Sequence, residues 1–88
     1  MSLLSRFFGK KYDDEQIMSH AHSAIAEDPL VADAEAVTVT SSKGVIKLTG
    51  TVHREQEKDR IEGVIRNAIS IVGLEFAQII NEVEVHKD

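Results

Sequence analysis

From Asp13 to Glu27 the apolar residues Ile17, Ala21, Ala24 and Ile25 recur three or four positions apart, the spacing of one helix face. Asp13, Asp14 and Glu15 stand where acidic side chains cap a first turn and complement the helix dipole. Pro29 ends the pattern, because proline disfavours helical geometry in the residue before it and has no backbone N–H to donate. Val37 and Val39 then alternate with Thr38 and Thr40 until Ser41-Ser42-Lys43-Gly44, a run of turn formers. In the next stretch Ile46, Leu48, Gly50 and Val52 fall on one face of a strand, and Val45, Lys47, Thr49 and Thr51 on the other. From Glu55 the period becomes helical again, with Ile61, Val64, Ile65, Ala68, Ile69 and Val72 on one broad stripe, and Gly73 stops it in the C′ position. Last, Ile79, Asn81, Val83 and Val85 alternate with Ile80, Glu82 and Glu84, which gives a strand with one acidic, solvated side.

The order is therefore α-β-β-α-β. Two amphipathic helices and a one-sided sheet bury their apolar faces together when both helices lie on one face of the sheet, so the expected class is α+β: an αββαβ two-layer sandwich with a three-stranded sheet. The first two strands form a hairpin. The helical connection to the third should be a right-handed crossover, which makes strands two and three parallel, strand two central and the sheet mixed. Gly50 then lies on the helix-facing side of the central strand, where the missing side chain is expected to let the second helix approach closely. Gly44, Gly50, Gly73 and Asn81 are read as structural positions, Asn81 being a polar residue at an apolar-parity place whose amide is expected to be satisfied within the fold.

The run Gly44-x-Ile46-x-Leu48-x-Gly50-x-Val52, the amphipathic helix ending near Gly73-Leu74, and Ile79-x-Asn81-x-Val83-x-Val85 together resemble the BON domain (bacterial OsmY and nodulation). The likeness includes the helix ending in Asp28-Pro29-Leu30 and covers about residues 13–86. Two features depart from the family pattern. His53-Arg54 stands where a Ser or Asp often precedes the second helix, and the loop from Gly73 to the last strand is about two residues longer, with Phe76 expected to plug the core. The resemblance implies a non-enzymatic module associated with phospholipid surfaces, with envelope or osmotic stress, or with attachment of larger proteins to membranes. It supplies no catalytic residue.

Composition narrows the function independently. Eighty-eight residues, 42% of them apolar, suffice for one core without metal or disulfide support. The absence of cysteine removes thiol catalysis and zinc–thiolate sites. His20 and His22 project about 200° apart on a helix and are unsuited to sharing an ion, and His53 and His86 stand alone at strand ends. Neither a cofactor nor a metal is expected. No nucleophile–base pair is legible, and Gly44 to Gly50 lacks the Gly-Lys-Ser/Thr of a phosphate cradle, so an enzyme is not expected.

Charge divides the chain into a basic arm, residues 1–12, and an acidic body, residues 13–88. The arm carries Arg6, Lys10 and Lys11 with no acid, while seven basic against fifteen acidic side chains leave the body at −8. An acidic body repels a phosphate backbone, which argues against nucleic acid as a partner. On a helical wheel Leu3, Leu4, Phe7, Phe8 and Tyr12 share one side of the arm, with Arg6 and Lys10 opposite and Lys11 snorkelling from the apolar arc. Such a segment suits an anionic membrane surface, and its two phenylalanines suit docking on a second copy or another protein equally well. Binding of a small ion or ligand by the acidic body is a further alternative with no constellation behind it. The N-terminus lacks the continuous apolar stretch of a secretory signal and no run could span a bilayer, so the expected place is the cytoplasm, peripheral to the inner membrane if the arm binds lipid.

Overall fold

A computed structural model of the chain describes residues 12–86. Helix α1 spans Asp14–Glu27, capped by Asp13, whose carboxylate accepts from the Gln16 backbone N–H at 3.2 Å and from Gln16 Nε2 at 2.9 Å. It buries Ile17, Ala21 and Ile25 and ends at Asp28. A short 3-10 turn, Ala34–Ala36, leads into β1 (Val37–Ser42), which forms a hairpin with β2 (Val45–Val52). Helix α2 spans Glu55–Ile71, and the chain returns as β3 (Gln78–Asn81) and β4 (Glu84–Val85).

The expected αββαβ sandwich is present. Strand β2 is central, antiparallel to β1 and parallel to β3 and β4. The single third strand expected from the alternation is divided at Glu82-Val83, yet its register is unbroken: residue n of β2 faces residue n + 33 both in β3 (Leu48 opposite Asn81) and in β4 (Thr51 opposite Glu84). The break therefore inserts no residue. It lies opposite Thr49-Gly50.

Gly50 explains the break and corrects the reason given for its presence. Its φ is +124°, a conformation that side-chain-bearing residues rarely adopt, and it pairs with Val37 at the start of β1. A Cβ there would collide with the Ala36 carbonyl oxygen and press on Ala36 C and Val37 Cα, both at 3.0 Å. The close neighbour is thus the backbone entering β1, not helix α2. A residue turned this far from extended geometry also cannot continue a regular ladder with the strand on its other side.

The core is one cluster built from Ile17, Ala21 and Ile25 of α1, Ile61, Ile65 and Ile69 of α2, Ile46, Leu48 and Val52 of β2, and Val31, Val37 and Val83. On α2 the buried stripe is narrower than the sequence pattern suggested: Val64 and Ala68 are half-buried, while Val72 is 45% exposed. Val72 is the C-cap and has already left the helical wheel. Gly73, at φ +76°, then closes the helix as expected, donating its N–H to the Ser70 carbonyl at 3.1 Å while the Leu74 N–H donates to the Ile69 carbonyl at 3.1 Å. At the other end of α2, Arg54 is the N-cap with no capping side chain, and its backbone carbonyl accepts from the N–H groups of Glu57 and Lys58.

Candidate functional site

At the hairpin end of the sandwich the chain is tied together by one carboxylate. Lys43 (φ +52°) and Gly44 (φ +81°) form a two-residue loop with both residues left-handed, the geometry that matches the twist of the flanking strands. Asp14, in the first turn of α1, accepts hydrogen bonds from Ser41 Oγ (2.6 Å), the Lys43 N–H (2.8 Å) and the Gly44 N–H (3.0 Å). The Tyr12 ring covers Gly44 so closely that a Cβ there would lie 2.6 Å from it. From the other side the Ala77 N–H donates to the Gly44 carbonyl at 2.7 Å. The entry to α1, the hairpin loop and the segment following α2 therefore meet at one place. Exposed around it are Lys43, Ile71 (73% exposed) and Val72, together with the acidic Asp13, Glu15 and Glu75.

The opposite end is held by an ion pair. Asp28 accepts from Arg60 Nη2 at 2.9 Å and Nε at 3.2 Å, and from the Leu30 N–H at 2.8 Å. The Arg60 hydrogen bond, assisted by the Leu30 N–H, holds the Asp28 carboxyl below its ordinary value of 3.8. This pair borders one end of a shallow open groove between the helices, which passes Ala24 and Gly63 and runs along α2 as far as Ile71. A second shallow recess near Leu30 is edged by His53, Arg54 and Glu57. Neither groove gathers a nucleophile with a base. Among the described residues no polar or charged side chain is buried, and no three acidic, histidine or cysteine side chains could hold a metal ion together.

Leu3, Leu4, Arg6, Phe7, Phe8, Lys10 and Lys11 lie outside the described residues. Tyr12, placed at the end of the arm by the charge pattern, packs against the core cluster. Asn81 ties the last strand to α2: its Nδ2 donates to the Lys58 carbonyl (3.0 Å) and to Glu62 Oε1 (3.3 Å), and its Oδ1 accepts from the Val83 N–H (3.2 Å) across the break. Phe76 is half-buried against the core, with the Arg66 guanidinium 5.4 Å from its ring centre. His22, His53 and His86 are exposed and His20 is half-buried. Asp14 and the Asp28–Arg60 pair were not singled out from the sequence, where the two aspartates read only as helix-end charge and Arg60 only as a polar residue off the apolar stripe of the second helix. Their partners lie some 30 residues away, and local spacing carries no signal for them.

No helix among the described residues is long and apolar enough to cross a membrane. The fold and its surface define a small α+β module whose distinctive features are strand edges, an apolar helix end and a tied loop. The family model of the BON domain matches residues 13–86, and the chain belongs to that family. Among solved structures it is similar to the C-terminal domain of CdsD, the structural protein of the type III secretion system of Chlamydia trachomatis, with a TM-score of 0.60 and 19% identity. That match covers 83% of this chain and 33% of the other, so this chain spans about a third of the length of that one, and the likeness is one of fold. No curated protein matches the sequence.

Proposed function

We propose that the chain is a non-enzymatic binding module that meets an anionic phospholipid surface with the hairpin end of its sandwich. The observation that carries this reading is positional. Tyr12 is fixed over Gly44, so residues 1–11 join the body at the same end as the exposed Ile71, Val72 and Lys43. Apolar residues of the arm and the end of α2 can then enter one interface. Asp13, Glu15 and Glu75 oppose an anionic surface there, which leaves the attraction to Arg6, Lys10, Lys11 and Lys43, each contributing about 1 kcal/mol near such a surface.

Flotation with vesicles tests this. Anionic vesicles should carry the full chain at low salt and release it as ionic strength rises and screens the arm, while neutral vesicles carry little. Removing residues 1–11 should abolish flotation, and Ile71→Gln should weaken it without lowering the melting temperature, because Ile71 is largely outside the core. Salt-insensitive flotation, or flotation unaffected by loss of the arm, would contradict the reading.

A further inference from the structure

The two edges of the sheet differ in what they offer another strand. The β3/β4 edge is short, broken at Glu82-Val83 and flanked by the exposed Glu82 and Glu84, features that discourage edge pairing. The β1 edge is six residues, Val-Thr-Val-Thr-Ser-Ser, in one unbroken register with β2, without a charge, a proline or a bulge. Among the described residues β1 pairs with β2 alone, and Thr38, Thr40 and Ser42 are exposed. We infer that the free edge of β1 pairs antiparallel with β1 of a second copy of this chain, joining two sheets across a two-fold axis.

Charge selects this occupant. Residues 13–88 carry −8, so two copies repel over most of their surface, and β1 is an uncharged strip within it. Continuing the sheet requires partners of the same side-chain parity. Centring the axis on Val39 satisfies this, sets Thr38 opposite the partner's Thr40, and places the exposed Glu35, just before β1, at the same end of the strip as the partner's exposed Lys43, just after it. Opposite charges then flank a neutral centre. One strand a side is a small interface by the standards of stable complexes, so the dimer forms in the range of about 10 µM to 1 mM. The inference does not rest on the lipid reading: the two share only Lys43 and are read by different assays.

Sedimentation velocity on the full chain tests it. The wild type should move from 9.7 kDa toward twice that mass across this concentration range. Thr38→Lys with Thr40→Lys, and separately Thr38→Glu with Thr40→Glu, should each remain monomeric through like-charge repulsion, and an equimolar mixture of the two variants should recover the dimer. Thermal melts followed by circular dichroism check that both variants fold, since Thr40 pairs with Lys47 on β2. Isotope-filtered NOEs between labelled and unlabelled wild-type copies need no variant and should connect β1 to β1. A monomeric wild type throughout, a lysine variant that associates as the wild type does, a mixture that stays monomeric, or intermolecular NOEs that miss β1 would each overturn the proposal.

Discussion

Both outer strands of the sheet flank β2, but one is continuous and the other is broken, and the difference originates at a single residue of the strand between them. Gly50, with φ at +124°, admits the Ala36 carbonyl on the β1 side and interrupts the ladder on the other, where Asn81 bridges the gap to Val83. On β1 the positive-φ residues fall outside the strand, in the Lys43-Gly44 loop, and its six pairs with β2 stay regular. Where a sheet places its irregular backbone thus decides which edge stays open.

The largest expected effect breaks both edges together. Gly50→Val adds a side chain to a left-handed residue and drives it into the Ala36 carbonyl, so thermal or urea unfolding should show a loss of about 3 kcal/mol or more. Asp14→Ala should come next, at about 2 kcal/mol, because one carboxylate holds the loop that ends β1 through three hydrogen bonds. Faster amide exchange of Lys43 and Gly44 would localise the loss, and unchanged exchange there would show that the loop holds itself. Asn81→Ala acts on the other edge. It removes the ties to Lys58, Glu62 and Val83 and should lower stability by about 1 to 2 kcal/mol, with β4 loosening before β1 in amide exchange.

The smallest effect lies at neither edge and serves as the control. Since the Asp28 carboxyl is held below 3.8, its contribution is present above that pH and is lost as pH falls through the lowered value. The stability difference between wild type and Arg60→Gln should accordingly be constant at neutral pH and shrink in acid below about pH 3.8. A difference that grows in acid would contradict the assignment.

Most of the architecture was legible because it depends on period. The alternation from Val37 to Val52 and the switch to helical spacing at Glu55 reflect which face each element buries, and that information is local. The same holds for Gly73, whose C′ role follows from where the helical stripe ends. Gly50 was legible as an anomaly but not in its cause, since the Ala36 carbonyl that requires it comes from 14 residues earlier in the chain and reaches it only through the hairpin register. The division between β3 and β4 was hidden for the same reason: Ile79 to Val85 keeps a single strand period in which neither Ile80 nor Asn81 marks a break at Glu82-Val83, and the interruption is imposed from the neighbouring strand. The Asp14 clamp joins a helix start to a loop nearly 30 residues away, a contact that no spacing rule encodes.

Residue-resolved amide exchange on the wild-type chain at low and high protein concentration tests the unequal edges most directly. The β1 amides not bonded to β2 should exchange freely in dilute solution and become protected as concentration rises, while protection of β3 and β4 stays unchanged. Protection that rises on β3 and β4 instead, or that leaves β1 unaltered at every concentration, would contradict the account of one closed edge and one open one.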